Sequence, residues 1–284
     1  RRKGVLVKPG VFVPGYDVAG IVEALGSRVD PEWMGRRVTG MLPNTGFGGY
    51  ASHVCTPTST LATVADNIEL TDAVALALNY ITAYQILHRI LQVGPHSKLL
   101  VHGGAGGVGT ASLQLARLLG TTVWSTASAK KHHIVRSLGA TPIDYRSERF
   151  EDVLAAECPE GVNGVLDAIG GEHLRRSWSV IRPGGTLVSF GLSGDIDKGW
   201  GSLLVAARVM MSLRMDRSKR LAMYMVGKRD NVRDDLQRIL NMAQNGDVEP
   251  IIGAKIPLER VREAHDLIDR SAVIGKIVLT HTQR

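Results

Sequence analysis

The stretch Lys98-Leu-Leu-Val-His-Gly-Gly-Ala-Gly-Gly-Val-Gly109 constrains this chain more than any other. Leu99 to Val101 form a short apolar run that reads as a buried strand. The glycines then impose a tight turn. From Val108 the apolar residues recur at Ala111, Leu115, Leu118 and Leu119, the spacing of one helix face, and Gly120 is placed to end that helix in the left-handed conformation. Strand, turn and helix in that order aim backbone N–H groups and the positive end of a helix dipole at one spot, where a pyrophosphate would sit. Gly104, Gly106 and Gly109 fit the G-x-G-x-x-G spacing. A glycine turn that serves packing alone is the alternative; the strand–helix setting favours dinucleotide binding.

The segments around this motif alternate. Thr121 to Ser125 reads as a strand and Ala129 to Leu138 as a helix; Pro142 to Tyr145 is a strand followed by a helix through Val153. Gly164 to Ala168 and Gly185 to Phe190 are further strands, with a helix from Gly171 to Ile181 separating them. Such alternation predicts an α/β fold built on a doubly wound parallel sheet, covered on both faces. The first seventy or so residues differ. Val18 to Ala24, Arg37 to Met41 and Tyr50 to Val54 read as strands parted by glycine or proline turns, hence a small β domain, and Thr71 to Ile90 turns helical. Leu203 to Met215 and Val232 to Gln244 read as helices. Ile251 to Ile256 and Ile274 to Thr280 read as strands flanking a helix through Leu267, and are expected to rejoin the small β domain.

Composition bounds the function. Of 284 residues, 44% are hydrophobic and 21% charged, a globular balance. The net charge of +7 is densest between Arg214 and Arg220, without interleaved aromatics, so a solvated helix face is expected there and not a nucleic-acid patch. No apolar stretch is long enough to span a bilayer, and no signal peptide is visible. Cys55 and Cys158 belong to no paired motif, which suits a reducing cytoplasm. The chain begins Arg1-Arg2, without methionine, inside what reads as a loop, and is expected to be the remainder of a longer protein.

A NAD-preferring site carries a carboxylate at the end of the second strand, about twenty residues past the glycines. Here that strand runs Thr122-Val-Trp-Ser-Thr-Ala-Ser128, and Lys130-Lys131 follow. Small hydroxyls and a lysine would hold the extra phosphate of NADP(H), which a carboxylate would repel. Zinc chemistry needs clustered ligands. The nine histidines are dispersed, and His132 and His133 would point about 100° apart on a helix. No metal is expected. Asp167 ends a buried strand, where a turn-capping carboxylate is commoner than a catalytic one. Tyr224 and Lys228 match the Tyr-x-x-x-Lys pair of short-chain reductases, and Gly103, Gly107 and Gly109 match their glycine spacing. Those enzymes place the glycines near the chain start, so chance explains this match better.

Several segments together carry a resemblance. Pro14-Gly-Tyr-Asp-Val-Ala-Gly-Ile-Val22, Gly48-Gly-Tyr-Ala51, Asn79-Tyr-Ile-Thr-Ala-Tyr84, the glycine turn, Arg182-Pro-Gly-Gly-Thr-Leu-Val188 and Gly275-Lys-Ile-Val-Leu279 follow one another in order. The chain resembles the zinc-independent quinone oxidoreductase (zeta-crystallin-like) branch of the medium-chain dehydrogenases/reductases over nearly its whole length. The resemblance implies a GroES-like β domain, incomplete here, split between 1–76 and 248–284. A Rossmann NADP(H)-binding domain, 77–247, would lie between these segments, and the family is commonly dimeric. It implies that Gly104, Ala105, Gly106, Gly107, Val108 and Gly109 cradle the pyrophosphate. Ser128, Lys131 and Tyr145 would contact the ribose phosphate; Thr82, Phe190, Gly191 and Leu192 would border the nicotinamide. Where the zinc-dependent branch has Gly-His-Glu, this chain has Gly15-Tyr16-Asp17, and the cysteine-rich lobe is absent. Val5 to Val7 occupy the region where many quinone reductases carry a tyrosine.

The implied activity is hydride transfer from NADPH to a small-molecule quinone or conjugated enone, in a cytoplasmic homodimer without nucleic-acid or membrane partners. Tyr80 and Tyr16 are candidate proton donors, and the catalytic residue stays open. Acyl reduction of the enoyl reductase type, or NADPH binding without catalysis, are the alternatives.

Overall fold

The computed structural model describes residues 13–43, 48–191, 200–226 and 231–281. In chain order the elements are β1 (Asp17–Ile21), β2 (Arg37–Met41), β3 (Leu61–Thr63), α1 (Leu70–Tyr84), β4 (Lys98–His102), α2 (Gly107–Leu118) and β5 (Thr122–Ala127). There follow α3 (His132–Ser137), β6 (Thr141–Asp144), α4 (Phe150–Glu157), β7 (Val162–Asp167), α5 (His173–Ser179), β8 (Ile181–Ser189) and α6 (Trp200–Met215). The last are β9 (Arg220–Met223), α7 (Val232–Gln244), β10 (Ile252–Pro257), α8 (Val261–Asp269) and β11 (Lys276–Thr280).

The chain forms two compact units. One comprises Tyr84–Ala105 and Ser112–Met225; the other comprises the described parts of Gly10–Ala83, Gly106–Ala111 and Val226–Arg284. The first unit holds a six-stranded sheet in the order β6-β5-β4-β7-β8-β9, parallel throughout. From β4 the chain winds outward through β5 and β6, then returns to start β7 on the other side. That reversal is the topological switch point of a doubly wound fold, and ligands bind outside the strand ends there. The sheet forms where expected because its strands are apolar runs: Leu99, Leu100, Val165, Leu166, Leu187 and Val188 are all fully buried. Trp124, Ile143, Phe150, Leu154, Leu174 and Trp178 pack with Leu100, Val165 and Leu187 into one core. Gly120, at φ +67°, stops α2 as the sequence predicts.

The second unit carries a three-stranded antiparallel sheet, β1-β2-β3. Tyr50 to Val54 is not one of its strands. The preceding N–H groups of Gly49 and Tyr50 donate instead to Gly15 and Pro14 carbonyls, which draws this segment into a turn, and Leu61–Thr63 supplies the third strand. The final strands, β10 and β11, fall in this same unit and pair in parallel with each other, as a two-stranded sheet with α8 connecting them. Helix α7 belongs to this unit, where the Gln237 side chain accepts from the N–H of Thr63 at 3.1 Å. These units and the expected domain segments are therefore different divisions of the chain.

Two further differences bear on the site. The helix expected through Ile90 is α1 to Tyr84 and then a π-helical stretch, Gln85–Ile90. The basic cluster expected on a helix face spans the end of α6 and the start of β9, a strand absent from the sequence reading.

Candidate dinucleotide-binding site

The glycine turn leaves β4 with its backbone pressed flat on β5. Ser125, fully buried, donates its Oγ proton to the Val101 carbonyl at 2.8 Å. A Cβ built on Gly104 would stand 1.9 Å from that oxygen, so a side chain at 104 has no room. The Gly104 N–H donates to the Thr126 carbonyl at 3.1 Å, continuing the ladder past the strand end. Ala105 is buried. In the second unit, a Cβ on Gly107 would stand 2.2 Å from Asn79 Nδ2, and Gly106 makes a parallel main-chain bridge to Gly275. The 12-residue α2 starts at Gly107, includes Val108 and Gly109, and is closed at its first turn by the Thr110 N–H donating to Gly106 O at 2.8 Å. Backbone approach without side chains, followed at once by a helix N-terminus, is what an anionic pyrophosphate requires.

Strand register brings the next residues together. Ala127 of β5 pairs with Asp144 of β6, so Ser128 and Tyr145 each stand one residue beyond the same rung. A 3₁₀ turn over Ala129–Lys131 then folds back, with the Lys131 N–H donating to Ser128 O at 2.8 Å. Tyr145 is exposed, and the Arg146 guanidinium lies 5.7 Å from its ring centre. Partial burial lowers the Lys131 pKa, an environment that an anion would relieve. Asp144, at this edge, already accepts the Arg146 N–H at 3.1 Å, and its own N–H donates to Glu148 Oε2 at 3.0 Å.

Phe190 follows β8 and donates its N–H to Asp167 O at 3.0 Å, at the same end of the sheet. A Cβ on Gly191 would meet the Ala168 carbonyl oxygen at 2.6 Å. Leu192 lies outside the described residues. Thr82 is buried on α1, in the second unit.

A buried polar chain runs from the turn to Asp167. Asp167 Oδ1 accepts from the N–H groups of Ile169 and Gly170 at 2.8 and 3.0 Å, the capping role expected of it. Its Oδ2 accepts from Ser177 Oγ at 2.7 Å and lies 2.8 Å from His173 Nδ1. Ser177 Oγ is 3.1 Å from His102 Nε2, and His102 Nδ1 is 3.1 Å from Thr126 Oγ1. Thr126 Oγ1 also accepts the Gly103 N–H at 3.2 Å. Burial pushes His102 down to about 3, so its ring is neutral. Burial alone would raise the Asp167 carboxyl, but the His173 and Ser177 hydrogen bonds hold it below the usual carboxylate range. The sequence signals were a histidine inside an apolar strand and the i, i+4 pair His173 and Ser177.

His102, Asp167 and His173 form the one group of three or more potential metal ligands among the described residues. Both His102 nitrogens, His173 Nδ1 and both Asp167 oxygens already have hydrogen-bond partners within the protein. The donor set therefore fits a hydrogen-bonded core better than an ion.

Tyr80 donates its hydroxyl to the Glu249 carbonyl at 3.0 Å and is buried, while Tyr16 is 43% exposed. Tyr224 donates to Gln85 Oε1 in the core at 3.1 Å; Lys228 lies outside the described residues. His132 Nε2 contacts the Ala127 carbonyl at 3.2 Å, and His133 is exposed.

The profile of a family described as zinc-binding dehydrogenase matches residues 138–279. The chain is 31% identical over 284 aligned residues to the synaptic vesicle membrane protein VAT-1 homolog of Mus musculus, covering 95% of this chain and 69% of that protein. It is 28% identical to the quinone oxidoreductase of Pongo abelii, covering 94% of this chain and 79% of the relative. Among solved structures it resembles Escherichia coli quinone oxidoreductase complexed with NADPH, at 25% identity, TM-score 0.86, and 98% and 85% coverage of the two chains.

Proposed function

Because the chain belongs to the zinc-binding dehydrogenase family of the medium-chain dehydrogenases/reductases and fits its zinc-independent quinone oxidoreductase branch, we propose that it is an NADPH-dependent reductase of quinones or α,β-unsaturated carbonyls. The observation that carries this reading is the side-chain-free approach at Gly104, where a Cβ would stand 1.9 Å from Ser125 Oγ, directly ahead of α2. The likeness to a quinone oxidoreductase that binds NADPH supports it.

In this reading Gly104, Ala105, Gly106, Gly107, Val108 and Gly109 hold the pyrophosphate through backbone N–H groups and the helix dipole. Ser128, Lys131 and Tyr145 hold the 2′-phosphate; a lysine just past the strand end, where NAD-preferring sites carry a carboxylate and this chain carries Ser128, selects the phosphorylated cofactor. Thr82, Phe190, Gly191 and Leu192 orient the nicotinamide. The bound nicotinamide supplies a hydride to an electrophilic carbon of the substrate. The chain contributes orientation, and no side chain is assigned as proton donor, because quinones take protons from solvent. Tyr80 is unsuited to that role, since its hydroxyl is committed to Glu249.

In this reading the hydride transfer proceeds without a catalytic zinc. Tyr16 stands where the zinc-dependent branch has its histidine, and the one candidate ligand cluster among the described residues is hydrogen-bonded within the core. The homodimer is part of the proposal; β9, outermost in the sheet among the described residues, has Met223 exposed beside it. Light scattering after size exclusion tests that state.

NADPH oxidation across a panel of quinones and enones tests the activity. Turnover with NADPH in preference to NADH is the expected result. Binding of NADPH with no turnover on any acceptor would favour the non-catalytic alternative.

A further inference from the structure

We propose that His102 and Thr126 are positioning residues for the glycine turn: His102, acting through the Thr126 hydroxyl, fixes the Gly103 N–H and with it the backbone ahead of α2. The inference rests on the reading of that turn as the pyrophosphate site.

The proton order along the buried chain follows from counting hydrogens. Ser177 has one hydroxyl proton, and it goes to Asp167 Oδ2. Ser177 Oγ must then accept from His102, which fixes the His102 proton on Nε2. A neutral ring protonated on Nε2 offers a lone pair on Nδ1, and this accepts the Thr126 hydroxyl proton. The Thr126 oxygen, its proton spent in that direction, is left to accept the Gly103 N–H. Every donor points toward Asp167, whose carboxylate anchors the sequence at its other end with the Ile169 and Gly170 N–H groups and His173. The five side chains sit on β4, β5, β7 and α5, so the turn is referenced to four separate elements of the sheet unit.

This arrangement has a purpose that packing alone does not supply. Gly103, Gly104, Gly106 and Gly107 leave the turn few side chains to hold it, and at Gly104 the close approach leaves room for none. Its position must come from backbone hydrogen bonds, and the Gly103 bond ties it to a side chain of another element, Thr126 of β5. A buried hydroxyl with both its proton and its lone pair directed admits one rotamer, which makes the N–H it receives equally fixed.

The test is calorimetric titration of wild type, Thr126→Val, Thr126→Ser and His102→Phe with two probes. NADPH contains the pyrophosphate; adenosine 2′-monophosphate does not and engages only the Ser128, Lys131 and Tyr145 edge. Thr126→Val preserves shape and removes the hydroxyl. We expect it to weaken NADPH about tenfold while leaving adenosine 2′-monophosphate within about twofold, with Thr126→Ser restoring NADPH binding. His102→Phe should show the same split. Unchanged NADPH affinity in Thr126→Val, or equal loss of both probes, overturns the positioning role while the cofactor reading stands. Wild-type protein that binds neither probe overturns the cofactor reading and this inference with it.

Discussion

Replacing Gly104 with alanine isolates the steric origin of the cradle. The φ angle at Gly104 lies outside the left-handed region, so alanine meets no torsional penalty there. The cost is contact: the new methyl would overlap Ser125 Oγ at 1.9 Å, press Ser125 Cβ at 3.0 Å and touch Leu113 Cδ1 at 3.4 Å. Ser125 would have to swing away from the Val101 carbonyl in a fully buried position, which costs about 1–3 kcal/mol. Residual overpacking adds roughly 1–3 kcal/mol. The expected destabilisation is therefore about 2–5 kcal/mol. If Ser125 is the obstacle, Ser125→Gly removes both of its clashing atoms, and the double variant must be more stable than the two single losses added together. Urea unfolding of the four proteins, followed by circular dichroism, gives the coupling, expected to exceed about 1 kcal/mol. NADPH affinity should fall in Gly104→Ala and recover in the double variant. Additive losses, within about 0.5 kcal/mol, would refute the account of the turn as limited by contact with β5.

Lys131→Glu should lower NADPH affinity by about 10- to 100-fold, the worth of a charge-assisted hydrogen bond, while sparing NADH; equal loss of both cofactors would contradict its assignment. A strong zinc chelator should leave NADPH oxidation unchanged, and inhibition that added zinc reverses would overturn the metal-free reading. His102 is held neutral, at about 3 against an ordinary 6.5, so its folded pKa is depressed. Its contribution is present above pH 6.5 and is lost as acid protonates the unfolded chain first, at up to about 1.4 kcal/mol per pH unit between 6.5 and 3. His102→Phe should flatten that slope in urea titrations at pH 7 and pH 4.5, and an unaltered slope would show that another group sets it.

The parts of this fold that sequence reveals are those written contiguously. The β4–turn–α2 motif occupies Lys98 to Leu118 without interruption, so apolar run, glycines and helical spacing can be read together. The strand end at Ser128 was legible in the residues, but the place of Tyr145 beside it came only through the family resemblance, because it depends on β5–β6 register. Of the His102 chain only the capping role of Asp167 was legible: its members sit on four elements, and polar residues in buried strands look like interruptions of a pattern. Tyr50 to Val54 has strand-forming residues, but the turn beside it is settled by Pro14 and Gly15, some 35 positions earlier. Strand β9 is only four residues long and follows a basic cluster, which disguised it.

The main-chain bridge from Gly106 to Gly275 joins positions separated by more than half of the chain. Lys276, next to it, is paired with Asp17 of β1, so one short segment ties early, middle and late sequence. During synthesis this clasp cannot close until Gly275 has emerged from the ribosome, however early β4 and α2 take shape. A chain shortened before Gly275 would therefore lack both the bridge at Gly106 and the Lys276–Asp17 pair, however well β4 and α2 form.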